Sequence, residues 1–597
     1  MDDDAGFRAV LARANAAGAA GRLAEAETAY RDALARRPHD LEALNNLAGV
    51  LGRLGRGDDA VTAYRTAIQH HPAALEPRLN LAIALTRAGH ANAALAEYDA
   101  LLAARPDHAA AHFYRANLLA SLDQLDAARV GYDRALALAP DHAEGYCNRG
   151  LVAARHGDLA AAERDFMAAL RRQPGLVPAW QALAALLRRV GRLGDAAAAL
   201  ARVAALRPDD AEAQLRLAQG LAESGAADAA LDGFARAVAL GGPPLAEALR
   251  GLASLRLARG ERAAARRHYA RAAVLEPVIR WHDATVPGAT RVLALVGPGL
   301  ANTPVEHLVA ASRHAFGMVL ALPGVDPDAA ALAARGDLVL NLISDADVGT
   351  RALRHAGALV DRIGRPVINH PARIARTDRQ AIARRLAGLP GCVVPETMRC
   401  TRGALARAPV PSAAQPWLVR PAGDHGGERL EKVADPDALA GFVAATEADA
   451  FYLTRFVDFR SADGHHRKYR FVFLGDARLP YHLAIGEHWK VHYFRTAMDQ
   501  HDWMRREEAA FLADPACAFG PAQRAALDAI RAAIDLEFFG LDCAIDRAGA
   551  LVVFEANASM LIHAADSAAL FPYKQASFAR IRDAFDRLIA TAARHHR

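Results

Sequence analysis

Cysteine is scarce. The five cysteines, Cys147, Cys392, Cys400, Cys517 and Cys543, are scattered and form no CxxC pair. That argues against a disulfide framework and for reduced, mostly buried thiols. No apolar run reaches the ~20 residues needed to cross a bilayer. The acidic opening MDDDAGF lacks the basic-then-apolar pattern of a secretion signal, so a cytoplasmic protein is expected. Charge of one sign is not concentrated. A net charge of +5 and a pI near 9.0 are spread over 597 residues, and no Lys/Arg run marks a nucleic-acid surface. Neither GxGxxG nor a Walker sequence is found, which disfavours a Rossmann or P-loop site. What is there, 53% hydrophobic and 23% charged residues, describes globular domains, and the length exceeds what one core serves.

The first 277 residues are periodic. Pro38, Pro72, Pro106, Pro140, Pro174 and Pro208 recur every 34 residues, and Pro243 and Pro277 continue after one extra residue. Each lies past a helical pattern, where a residue without an N–H can end a helix. Small residues and one aromatic recur between them. Ala48, Ala60, Tyr64 and Ala67 match Gly150, Ala162, Phe166 and Ala169, and again Ala253, Ala265, Tyr269 and Ala272. Gly55, Gly89, Gly157, Gly191, Gly225 and Gly260 fall at the turn between paired helices. Two helices crossing closely need Ala or Gly at the crossing and an aromatic to fill the next gap. The pattern resembles the tetratricopeptide repeat, in about eight copies with a degenerate first unit. The resemblance implies an all-α right-handed superhelix whose concave groove binds a peptide or partner protein. Asn46, Asn80 and Asn148 share one repeat position. Their amides either hold a peptide backbone or bond from repeat to repeat. Cys147 reads as packing.

Residues 278–289 break the period and read as a linker. From 290 to 372, strands (RVLALVG, GMVLAL, DLVLNLIS, RPVINH) alternate with helices (PVEHLVAASRHA, ALRHAGALVDRIG), which means a parallel α/β sheet. Asn341 and Asn369 end strands and are either ligand-facing or turn residues.

In 373–597, a helix is expected to begin after Thr377–Asp378, with Arg379 in its first turn. An apolar strand ends in Arg420–Pro421 and is followed by a loop with Gly423, Gly426 and Gly427, whose backbone N–H groups can approach an anion. Lys468 and Arg470 share a strand face. If EHWKVHYF is extended, His488, Lys490 and His492 share one face. Zinc at His482, His488 and His492 lacks a fourth ligand. His465 and His466 read as loop residues, and His563 as a pocket candidate.

The stretch Leu541–Met560 reads as two strands around a turn at Gly549. If the hairpin closes symmetrically about Ala548–Gly549, Asp542 opposes Glu555, and Asn557 joins their face two residues on. The three are either solvated polar residues or an all-oxygen set for a hard cation such as Mg²⁺.

The order of these pieces from about 290 to 565 resembles the ATP-grasp superfamily, including the D-alanine–D-alanine ligases and RimK-type ligases. The implied architecture is multidomain: the all-α superhelix, an α/β unit, and an α+β ATP-grasp fold. By the resemblance, Asp542, Glu555 and Asn557 match the magnesium ligands. Arg420 stands where the family has the Lys of a Lys-Pro pair on the ATP phosphates, and Arg379 stands where it has an earlier phosphate-binding Lys. Arg is a planar fork and Lys a point charge, so the phosphate contacts differ in detail. Gly423, Gly426 and Gly427 match the phosphate lid. Thr454, Arg455, Phe456 and Val457 match the hinge that reads adenine. Arg470 matches a cation aimed at the phosphate and the activated carboxylate, and Lys468 joins it as a catalytic candidate. The stretch Tyr481–Tyr493 has no family counterpart. His482, His488, Lys490 and His492, with His563, are expected to bind substrate. The resemblance implies an ATP- and Mg²⁺-dependent carboxylate–amine or thiol ligase. It acts on small-molecule or peptide substrates through an acyl phosphate, with the repeats recruiting a peptide or protein. The alternatives are a non-catalytic ATP-binding adaptor and a kinase that stops at phosphoryl transfer.

Overall fold

Helices dominate the first half because the small and aromatic positions recur at helical spacing. The computed structural model describes residues 2–594 apart from 300–301, 409–410, 425–426, 428, 493–495, 559–561, 563–566 and 568. It divides into two units, Met1–Pro244 and Leu245–Arg597.

Among the described residues of the first unit, fourteen helices run from Asp2–Ala19 to Ala227–Leu240 as antiparallel pairs. The small residues stand where helices cross. A Cβ at Gly150 would lie 2.7 Å from the Phe166 ring, and one at Gly131 would lie 2.9 Å from Ala116. The aromatics Tyr30, Tyr64, Tyr98, Tyr132 and Phe166 are buried beside them. Gly55 and Gly89 take φ of 78° and 80° at the turns, and Asp123 adopts φ 62° where the period would place the next glycine. The asparagines bond from repeat to repeat. Asn46 donates to Asn15 at 3.2 Å, Asn80 to Asn45 at 3.0 Å, and Asn148 to Asn117 at 2.9 Å. Tyr30 and Tyr132 donate to Asn15 and Asn117, each at 2.6 Å. Asn15, Asn45, Asn46, Tyr64 and Asn80 also line a groove of about 490 Å³. Cys147 is buried among apolar neighbours, and burial raises its thiol to about 11.

The second unit opens with the helices Leu245–Ala258 and Arg262–Leu275, the eighth pair of the series, and continues as a mixed α/β region. Its first sheet holds β1 (Ile279–His282), β2 (Arg291–Val296), β3 (Ala315–Leu320), β4 (Leu338–Asn341) and β5 (Val367–Ile368), in the order β1-β3-β2-β4-β5. The last four are mutually parallel, and β2 is nearly continuously buried, as a strand covered on both faces must be. β1 is a strand inside the expected linker. It pairs antiparallel with β3, where Trp281 packs edge-on to Phe316.

A four-stranded sheet contains β7 (Thr397–Thr401), β8 (Trp417–Pro421), β9 (Glu431–Val433) and β10 (Ala450–Arg455), in the order β7-β10-β8-β9. It has a core of its own around Trp417, Val419, Phe451 and Leu453. The third sheet contains β6 (Cys392–Val393), β11 (His466–Leu474), β12 (Ala477–Gly486), β13 (Phe538–Ile545) and β14 (Leu551–Asn557), in the order β12-β11-β13-β14-β6. The C-terminal helix Lys574–Arg594 buries Ile581, Phe585 and Ile589 against Val292 and Phe316 of the first sheet and Phe538 of the third.

Asn341 and Asn369 are structural. Asn341 Nδ2 donates to the Asn369 carbonyl at 2.9 Å. Asn369, held at φ 56°, donates to and accepts from Phe538 at 2.5 and 3.0 Å and so ties β5 to β13.

Candidate functional site

The third sheet positions the acids. Near the turn, β13 and β14 pair about Ala548, with Ile545 opposite Leu551 and Cys543 opposite Val553. That register alone would set Asp542 against Phe554. A bulge absorbs Phe554, and Asp542 instead pairs with Glu555 and Gly540 with Asn557. Asp542, Glu555 and Asn557 therefore share one face. Arg470 on β11 pairs with Asp542 and extends the row, and Lys468 lies two residues away on the same face.

Asp542 is 2% exposed and accepts from Arg470 Nε at 2.5 Å and Nη2 at 2.8 Å, with Lys468 Nζ at 2.6 Å. Burial pushes its carboxyl up, but Arg470 and Lys468 outweigh burial and hold it well below the ordinary carboxylate range. Glu555 accepts from Arg379 Nη2 at 2.7 Å and from the Asn557 amide. Burial raises Glu555 as well, and Arg379 and Arg420 bring it net below its usual value. Arg379 reaches it from the first turn of the helix Arg379–Leu386, which Asp378 caps by accepting from Ala381 N.

These side chains line a cavity of about 330 Å³. Lys468, Arg470, Asp542, Glu555 and Asn557 line it together with Arg379 and Arg420. Thr454, Arg455, Phe456 and Val457 also line it, with Leu418, Leu430 and Trp489. Phe456 and Trp489 meet edge-on, with ring centroids 5.7 Å apart and Lys432 Nζ 4.3 Å from the Phe456 centroid. Gly427, Lys490 and His492 belong to the same lining.

Three expected residues described in the structure do not line the cavity. His482 is the cross-strand partner of Arg470 but is buried outside the lining. β12 ends at Gly486, and a turn closed by Val491 N to the Trp489 carbonyl leaves His488 exposed, so the stretch after Gly486 is not the extended strand expected from sequence. Gly423 sits in the turn after β8 at φ 81°. Gly426 and His563 lie outside the described residues. His466 is buried on β11 rather than in a loop.

The sequence reading passed over Asp345 and Asp347, which line the cavity from the loop after β4. Their signal was the position, at the carboxyl end of a parallel strand beside the point where the strand order reverses.

Asn557 Oδ1 and the Nε of Arg420, which is 7% exposed, both on cavity-lining side chains, are among the buried polar atoms without a hydrogen-bond partner among the described residues. The first is an acceptor oxygen beside two carboxylates and fits a hard cation. The second is a donor on a side chain that lines the cavity and fits an anion. Burial, then the nearby Arg379, brings the Arg420 guanidinium down to about 10, so a bound anion would restore what burial removes.

Models described as the tetratricopeptide repeat match residues 11–75, 124–177 and 182–243, and a second such model matches 53–112. The N-terminal helical array is a tetratricopeptide repeat array. Such repeats support binding of peptides or proteins. Solved structures similar to the chain include a tetratricopeptide repeat protein of Parabacteroides merdae, at 20% identity over 41% of this chain and 98% of that one, TM-score 0.33. A thermophilic repeat protein of Thermus thermophilus matches at 27% identity over 31% and 100%, TM-score 0.27. YrrB, described as a repeat protein with an unusual peptide-binding site, matches at 26% identity over 30% and 92%, TM-score 0.28. No curated protein matches the chain. Among the described residues, no helix is long and apolar enough to cross a membrane.

Proposed function

We propose that residues 245–597 bind Mg-ATP in the ATP-grasp manner and join a carboxylate to an amine, while the tetratricopeptide array recruits a peptide or protein. The single observation that carries this reading is the convergence of Asp542, Glu555 and Asn557 with Arg379, Arg420, Lys468 and Arg470 on one cavity, with the Asn557 oxygen and the Arg420 Nε lacking hydrogen-bond partners among the described residues.

Asp542, Glu555 and Asn557 would hold the magnesium, which would supply positive charge against the phosphates when bound. Arg379, Lys468 and Arg470, now neutralising the two carboxylates, are free to turn to the phosphates once the carboxylates have a metal to serve. Arg420, near Arg379 and Glu555, would meet the phosphates from β8. Phe456, Trp489 and Leu418 offer an apolar bay for the base. The Arg455 and Phe456 N–H groups are engaged by the Glu396 and Pro416 carbonyls, so backbone recognition there falls to Val457 and to hinge carbonyls. A substrate carboxylate attacks the γ-phosphate to give an acyl phosphate and ADP. The amine then displaces phosphate and releases a proton. Arg470 and Lys468 stabilise the charge at the reacting centre, and positioning and electrostatics do the rest.

The test is Asp542→Asn, which keeps the side-chain volume. ADP release, measured at a temperature where the variant is folded, should fall on the order of 10²–10³-fold, and the lost pairing with Arg470 and Lys468 should lower the melting temperature. Release at the wild-type rate would remove the metal assignment. The mass of the product fixes the reaction class: a gain of an amine less water marks a ligase, and a gain of one phosphate a kinase.

A second reading, a non-catalytic ATP-binding adaptor, is favoured by the closure of Asp542 with Arg470 and Lys468, which leaves its charge balanced without a metal. It predicts nucleotide uptake without ADP release.

A further inference from the structure

Arg399 on β7, Tyr452 on β10 and Arg420 on β8 stand in one cross-strand row. Tyr452 is registered opposite Arg399 on one side and opposite Arg420 on the other. Registered partners project from the same face, so a phenol stands between two guanidinium groups. The loop after β4 comes down onto this row. Asp345, 2% exposed, accepts from the backbone N–H of Asp347 at 2.7 Å and of Val348 at 3.0 Å, and these bonds turn the chain. Asp347 Oδ1 then accepts from the Tyr452 hydroxyl at 2.6 Å and lies 3.4 Å from Arg399 Nε. Val348 caps the turn after β8, since a Cβ on Gly423 would meet it at 3.1 Å.

The four-stranded sheet has its own core, built from residues between Leu405 and Leu453. Its orientation relative to Glu555 therefore depends on contacts made outside that core. The Asp347–Tyr452 hydrogen bond is one such contact, and it falls on the strand beside Arg420. Arg420, which lines the cavity, donates through Nη2 to the Asp424 carbonyl, which holds the end of its fork, while its buried Nε has no acceptor among the described residues.

We propose that Asp347, acting through Tyr452, is the positioning residue that sets the Arg420 guanidinium against the anion bound in this cavity. The proposal rests on the reading of the cavity as a polyphosphate site. It assigns no chemistry to Asp347 itself. Tyr452 is the link, and burial together with the bond to Asp347 holds its hydroxyl protonated far above the usual phenol range, as a permanent donor must be.

Calorimetry on the full chain tests it with three probes: Mg-ATP, tripolyphosphate with Mg²⁺, and adenosine. Asp347→Ala and Tyr452→Phe should each weaken Mg-ATP and tripolyphosphate about tenfold, the worth of one lost buried hydrogen bond, and leave adenosine unchanged. Asp347→Asn keeps an acceptor for Tyr452 and should stay within about threefold of wild type. In an Arg420→Ala background neither variant should add a loss, because coupled residues are not additive. Losses that multiply with that of Arg420→Ala, or that extend equally to adenosine, overturn the positioning role. If Asp347→Ala fails to fold, the milder Tyr452→Phe carries the test. Wild-type protein that takes up neither ATP nor tripolyphosphate overturns the polyphosphate reading itself, a different result from uptake that Tyr452→Phe leaves untouched.

Discussion

The two units store their structure differently. In Met1–Pro244 the defining contacts close over about one repeat: Tyr30 reaches Asn15, 15 residues away, Asn46 reaches Asn15 over 31, and Arg155 reaches the Ala120 carbonyl over 35. In Leu245–Arg597 they join distant segments. Arg379 meets Glu555 across 176 residues, Asn369 meets Phe538 across 169, and Thr303 donates to the Ala558 carbonyl across 255. Local, repeated contacts make a surface that lengthens by addition. Non-local contacts make a closed cavity whose parts must all be present.

The largest test of the contrast is Phe585→Ala. Phe585 is fully buried between the first and third sheets, and its loss should cost about 3–5 kcal/mol. Hydrogen exchange should accelerate throughout β2, β3 and β13 and stay unchanged in the repeats. Acceleration in the repeats would mean that the two units do not hold their stability separately.

Gly150→Val should be smaller and confined to the other unit. Its side chain would press on Phe166, and such overpacking costs about 1–3 kcal/mol. Exchange should rise in the helices Ala143–His156 and Leu159–Arg172 and their neighbours, with the sheets unaffected. Uniform loss of protection across all repeats would contradict the local picture.

The subtlest difference is in acid. The Asp542 and Glu555 carboxyls are both depressed in the folded chain. Their stabilisation is therefore complete above the unfolded carboxyl range near pH 4 and is lost as the pH falls below it towards the folded values. The second unit should lose protection below about pH 4, and Asp542→Asn should flatten that loss. An unchanged slope would mean that other carboxylates dominate acid unfolding.

The same contrast explains what could be read from sequence. The repeats were legible because period, small residues and aromatics all report the same helix crossing. Asp123 escaped notice because an aspartate replaces the expected glycine in a left-handed turn. Asp542 opposite Glu555 was legible from the period of two and the turn. The bulge at Phe554 was not, although it is what makes the pairing real. Trp489, Lys490 and His492 lie in the cavity wall through a turn rather than the extended strand that alternation implied. Asp347 stands at a strand end where ligands often gather, but its meeting with Tyr452 and Arg399, residues 105 and 52 positions away, leaves no local pattern. Asn341 and Asn369, at strand ends where ligands often sit, instead satisfy buried backbone groups.

The central claim is best tested by titrating ATP into the full chain by calorimetry with and without magnesium. Saturable uptake that requires magnesium in the wild type and disappears in Glu555→Gln is the expected result. Uptake indifferent to magnesium, or no uptake at all, would contradict it.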